Sequence, residues 1–193
     1  MPSSLRFAVI CSSNQNRSME THLFLSKRGF KVRSFGTGDK VKLPGNAPDK
    51  PNVYDFGTPY EAMFQDLKKK DLLLYTNNGI MSMLDRNKRI KLAPERFQQN
   101  FDIFDVIFTV EERVYDQVLE EFSKRPIRYT SPVHIVNIDV MDNHEEATLG
   151  AFMFCELAQL MADSEDLDND IDELLQEFES SKNRPILHTV QFY

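Results

Sequence analysis

The chain has 193 residues, a formal net charge of −7, 41% hydrophobic and 27% charged residues, a balance that suits one globular domain, or one carrying an insertion, and excludes a disordered chain. No run approaches the roughly 18 apolar residues of a membrane span, and the start Met1-Pro2-Ser3-Ser4 lacks a basic region followed by an apolar core, so a soluble intracellular protein without a membrane partner is expected. Net negative charge disfavours direct nucleic-acid binding, yet residues 1–50 hold nine Lys or Arg against three acids while residues 163–179 hold nine acids and no base, so an anionic substrate is drawn to the N-terminal region.

In chain order, Leu5 to Ile10 is a nearly continuous apolar run, which predicts a central parallel strand covered on both faces. A helix over residues 18–28 follows, with Gly29 as its stop and Lys27 and Arg28 suiting its negative end. Phe30 to Phe35 alternates apolar and polar residues, as a strand near a sheet edge does. Residues 36–59 are punctuated by Gly and Pro and are too long for an ordinary connection. Three amphipathic segments come next, at about 60–68, 70–76 and 79–90, with Met63, Phe64, Leu67, Leu73, Leu74, Tyr75, Ile80, Met83 and Leu84 as covering residues. Residues 39–92 are therefore expected to form an inserted substrate loop and helical cap. Strands are expected again at 104–108, 133–138 and 188–192, with helices from 111 to before Pro126, at 144–162 and at 165–180. The expected fold is a single α/β domain, a doubly wound, mostly parallel five-stranded sheet with helices on both faces, binding at the C-terminal ends of its strands.

Between the first strand and first helix lies Cys11-Ser12-Ser13-Asn14-Gln15-Asn16-Arg17-Ser18. A loop there aims backbone N–H groups at one spot, where the helix dipole adds roughly half a positive charge. The field that would hold a phosphate also favours the nucleophilic thiolate form of a cysteine. Arg17 offers a planar fork for two phosphoryl oxygens, and Ser18 offers a hydroxyl to the sulfur or caps the helix. Cys11 and Arg17 are thus catalytic candidates, and Ser12, Ser13, Asn14, Gln15, Asn16 and Ser18 form the phosphate-binding set.

A phosphocysteine route needs an acid for the departing oxygen. The strand at 133–138 runs into Asp139-Val140-Met141-Asp142-Asn143-His144, which places two carboxylates at the same sheet edge as Cys11. Asp142 with Glu145, or Asn143 with Glu146, has capping-box spacing, so capping alone accounts for one acid. Spacing leaves open whether Asp142 is the general acid, with Asp139 as runner-up or partner. Cys155 reads as buried filler. His22, His134, His144 and His188 lack ligand spacing, so a reaction without metal or cofactor is expected.

The two motifs, Cys11 to Glu20 and Asp139 to Ala147, closely resemble those of the Ssu-type phosphatases of the RNA polymerase II C-terminal domain, whose fold is similar to the low-molecular-weight protein tyrosine phosphatases. The resemblance runs from the first residues to Phe192-Tyr193. It implies Cys11 as nucleophile, Arg17 as phosphate clamp, Asn14 and Ser18 as loop organisers and Asp142 as general acid. It further implies a nuclear protein serine phosphatase, with the cytoplasm as a second location, that acts on the fifth-position serine of the heptad with the following proline cis. Lys42, Pro44, Tyr75 and Met83 match substrate-contact positions. A symplekin-like scaffold is implied as partner, docking near the third strand and its following helix. Val110, Asn46-Ala47, Gly57 and Pro59 depart from the family pattern and suggest a diverged paralogue. The competing readings are a catalytically weak paralogue that binds phosphopeptide or scaffold, and arsenate reduction, for which Cys155 is a poor relay.

Overall fold

The structure is a computed structural model and describes residues 3–193; Met1 and Pro2, on which the expectation about the start partly rests, lie outside them. The main sheet has five strands in the order β2-β1-β5-β6-β7. These are β1 (Arg6–Cys11), β2 (Lys31–Gly36), β5 (Val106–Thr109), β6 (Pro132–Ile138) and β7 (Ile186–Phe192). The first four run parallel, and β7 pairs antiparallel with β6 from Pro132↔Phe192 to Ile138↔Ile186. The edge position expected for the second strand is the one β2 occupies.

Strand β1 shows why its sequence is apolar throughout. Phe7 and Val9 enter one core and Ala8 and Ile10 the other, each fully buried. Side chains alternate across a strand, so a strand covered on both faces has no polar side to spare. The first core is closed by α1 (Arg17–Lys27), α5 (His144–Asp163) and α6 (Leu167–Lys182), through Leu25, Phe154, Ala158, Ile171 and Phe178. Phe108 stacks against Phe7 at 5.6 Å and meets Phe154 at 4.8 Å between centroids. The second core is closed by α4 (Glu112–Lys124), through Val114, Val118 and Phe122. Cys155 is fully buried in the first core, where burial pushes its thiol pKa up. The acids of α6 face solvent, with Ile171, Leu175 and Phe178 inward at helical spacing.

Most of the insertion between β2 and β5 forms a third core beside the C-terminal ends of the strands. The elements of this core are the hairpin β3 (Val41–Leu43) and β4 (Asn52–Tyr54), then α2 (Tyr60–Asn77) and α3 (Ile80–Ile90). Val41, Leu43, Tyr60, Met63, Leu67, Ile80, Met83 and Leu84 pack together, and Met19 of α1 joins them to the sheet domain. Helix α2 is broken at Asp71, whose backbone is extended at φ −167° and ψ 87°, and the Asp71 carboxylate caps the next turn at Leu74 N. The break separates the first two amphipathic segments read from the sequence. It also resets the helical phase, so Leu73, expected among the covering residues, is 71% exposed. Gly79 ends the connection with φ +82°, a conformation that suits glycine.

On α1, His22 meets Ser34 Oγ of β2 at 2.7 Å. Burial, and then the nearby charges of Lys91 and Arg33, push its pKa down to about 4, with Glu95 opposing. The unfolded chain takes up this proton near pH 6.5 and the folded chain only near pH 4, so this group's contribution to stability falls as pH drops through that window. Urea midpoints measured between pH 7 and pH 4.5 should fall more steeply for the wild type than for His22→Gln.

Candidate active site

The loop between β1 and α1 closes around the sulfur of Cys11, which is 3% exposed. Asn14 adopts φ +55°, a left-handed turn, and its N–H points at Cys11 Sγ at 3.2 Å. Asn14 Nδ2 donates to Ser18 Oγ at 2.9 Å, and Ser18 Oγ lies 3.0 Å from Cys11 Sγ. A thiolate at Cys11 can only accept, so towards it the Ser18 hydroxyl would donate its proton while still accepting from Asn14 Nδ2. Ser18 therefore serves the sulfur, and α1 begins one residue before it.

The loop's carbonyls are turned the other way. Cys11 O accepts from Thr37 N at 3.1 Å, Ser12 O from Gly38 N at 3.0 Å, and Asn16 O from Glu20 N at 3.0 Å. Asn14 O accepts from the Tyr60 hydroxyl at 2.7 Å. Gln15 O accepts from Arg86 Nη2 at 2.8 Å and Asn87 Nδ2 at 2.9 Å. Asn14 Oδ1 is tied to Glu95 N at 3.1 Å. In a turn this tight, carbonyls bound outward leave the amides facing inward, the arrangement of an anion nest. Gly36 permits the approach, since a Cβ there would lie 2.6 Å from Ser12 O.

Arg17 is 6% exposed. Its Nη1 donates to Val140 O at 2.9 Å and to Glu111 Oε2 at 3.3 Å, which fixes the guanidinium plane. Its buried Nε has no hydrogen-bond partner among the described residues and lies 3.7 Å from Asp142 Oδ1. Burial opposes charge on Arg17, but Cys11, Asp142 and Glu111 outweigh it and raise its pKa, so it stays cationic.

The two acids after β6 separate. Asn143, not Asp142, caps α5 by accepting from Glu146 N at 2.9 Å. Asp142 is left free of capping, accepts from Asn16 Nδ2 at 2.9 Å and lines the cavity above Cys11. Asp139 is turned away: its Oδ1 accepts from Glu112 N and Asn137 Nδ2, both at 3.1 Å, which makes it a support for the start of α4.

The cavity has a volume of about 270 Å³. Cys11, Ser12, Ser13, Gln15, Asn16 and Arg17 line it from the loop, Lys42 and Pro44 from the hairpin, Met83 from α3 and Asp142 from the β6–α5 connection. Asn14 and Ser18 lie beneath it as supports and are fully buried. Tyr75, matched above to a substrate contact, does not line it. It is 3% exposed within the third core, and its hydroxyl accepts from Asn52 Nδ2 at 2.9 Å. Leu43, Asn78, Ile80, Asn143 and His144 also line the cavity, although the sequence singled none of them out as a site residue. Among the described residues, no group of three or more His, Cys, Asp or Glu is placed to hold a metal ion.

Tyr60→Phe removes the donor from a buried loop carbonyl. An unsatisfied buried acceptor costs about 1–3 kcal/mol, so urea unfolding should show a loss of that size together with lower turnover.

The chain is similar to known proteins over its whole length. A family model described as Ssu72-like protein matches residues 5–193. The RNA polymerase II C-terminal domain phosphatases SSU72 of Mus musculus and Homo sapiens are each 66% identical over 194 residues, covering 100% of both chains. The human SSU72 like protein 4 is 51% identical over 193 residues, again covering 100% of both. A crystal structure of D. melanogaster Ssu72 with symplekin, bound to a cis peptidomimetic C-terminal-domain peptide carrying phosphoserine at position 5, superposes with a TM-score of 0.97 at 57% identity over 100% of both chains. With a cysteine loop built as described and a family match running from Leu5 to the last residue, this chain belongs to the Ssu72-like protein family.

Proposed function

We propose that this protein is a phosphoserine phosphatase of the RNA polymerase II C-terminal domain, acting on the fifth-position serine of the heptad through a cysteinyl-phosphate intermediate. The observation that supports it most is the convergence of Cys11, Arg17 and Asp142 on one cavity at the carboxyl ends of the strands.

The loop amides and Arg17 hold the phosphoryl oxygens with the phosphorus above the sulfur. Cys11 Sγ attacks in line, the bond from phosphorus to the serine oxygen breaks, and Asp142 gives that oxygen its proton. In the second step water attacks phosphorus, Asp142 takes the water's proton, and the thiolate leaves. A serine alkoxide is a poorer leaving group than a phenoxide, so the acid matters more for serine than for tyrosine substrates. Lys42 and Pro44 of the hairpin and Met83 of α3 flank the cavity and provide the contacts for the peptide. A cis prolyl bond is a minority form, about 10–30% in unfolded peptides, so a site that selects it narrows the substrate. The protein works in the nucleus with a symplekin-like scaffold as partner, in transcription and mRNA 3′-end processing.

The test is phosphate release from fifth- and seventh-position heptad phosphopeptides, with and without EDTA. The fifth-position peptide should be preferred and EDTA should leave the rate unchanged. Cys11→Ser should abolish turnover, and Asp142→Asn should lower it by about 10²- to 10⁴-fold, the usual span of general acid–base catalysis. Tight peptide binding without phosphate release would instead establish a binding module.

A further inference from the structure

Asn16 stands at the N-cap of α1, where an Asn side chain ordinarily accepts a bond from the helix's first turn. Here it makes no such bond. Its Nδ2 instead donates to Asp142 Oδ1 at 2.9 Å, joining residues 126 positions apart in the chain. The same oxygen is the one that faces Arg17 Nε at 3.7 Å. An ionised carboxylate can only accept, which fixes the amide nitrogen as the atom turned towards it. The other amide atom, Asn16 Oδ1, is buried without a partner, so the side chain forgoes both its cap and its acceptor bond. Asp142 itself is 64% exposed and is otherwise free to turn into solvent.

We infer that Asn16 is the positioning residue of the general acid: by pinning Asp142 Oδ1, it leaves Oδ2 as the atom that carries the proton to the departing oxygen. This rests on the phosphatase reading above. Two donor groups converge on Oδ1, where a proton would be repelled, and among the described residues no donor bonds Oδ2. In the first step the sulfur–phosphorus bond forms as the phosphorus–oxygen bond breaks. The electron pair stays on the serine oxygen, which takes the Oδ2 proton. In the second step the attacking water returns a proton to Oδ2, the sulfur–phosphorus bond breaks, and the pair returns to Cys11 Sγ. A carboxyl free to rotate, or to protonate on either oxygen, presents that proton only part of the time. The penalty therefore grows with the basicity of the leaving group.

The experiment measures kcat/KM, which reports the first step, for p-nitrophenyl phosphate and for a heptad phosphoserine peptide. Asn16→Ala and the near-isosteric Asn16→Asp are compared with wild type, and Asn16→Ala is also placed in the Asp142→Asn background. Both single variants should lose about tenfold more on the serine peptide than on the aryl phosphate, a share of the span of general acid catalysis. In the Asp142→Asn background, Asn16→Ala should add no further discrimination between the substrates. Equal losses on both substrates, or discrimination that multiplies with Asp142→Asn, would overturn the inference and leave the phosphatase reading standing. A wild type inactive on both substrates would overturn the two together.

Discussion

The site depends on one constraint: the carbonyls of the Cys11 loop must face outward. A short loop that carries them inward would repel a phosphate and a thiolate alike. Five of its carbonyls, those of Cys11, Ser12, Asn14, Gln15 and Asn16, are held by donors outside the cavity. The left-handed turn at Asn14 supplies the local bend. The rest of the chain supplies the hands that hold it, from the β2 extension at Thr37 and Gly38 to Tyr60, Arg86 and Asn87. Positive charge comes with this bracing, since partly buried Arg86, paired with Glu20, bonds the Gln15 carbonyl of the loop.

The insertion between β2 and β5 is thus two things at once. Its inner face, through Tyr60, Arg86 and Asn87, braces the loop, and its rim, through Lys42, Pro44 and Met83, borders the cavity. A separate core explains how it performs both. Leu43, Met63, Leu67 and Leu84 bury one another, so the insertion is held by its own packing and meets α1 through Met19.

The parts legible in the sequence were those encoded locally. The loop from Cys11 to Ser18 is contiguous, and β1 betrays its double burial by being apolar at every position from Phe7 to Ile10. Asp142 was singled out because β6 ends beside it, although spacing could not say whether it caps the next helix. In the structure Asn143 takes the cap, and Asp142 lines the cavity. What stayed hidden depends on pairs far apart in the chain. Tyr75 finds Asn52 and leaves the cavity, Asp139 finds Glu112 N, and Glu95 N finds Asn14. Leu73 was misjudged for a different reason, because periodicity cannot show a break that falls at a single residue such as Asp71.

The third core has an evolutionary corollary. Tyr60, Arg86 and Asn87 bond the Cys11 loop itself, so their replacement disturbs that loop whatever ligand the cavity takes. The turn through Gly45, Asn46 and Ala47 joins β3 to β4 without lining the cavity above Cys11, and forms a separate surface depression with Pro44, Pro48 and Pro51. Substitutions in this turn can therefore accumulate while the bonds that brace the Cys11 loop stay intact. A lineage that duplicates such a phosphatase has a place to diverge in what it recognises before it diverges in what it does.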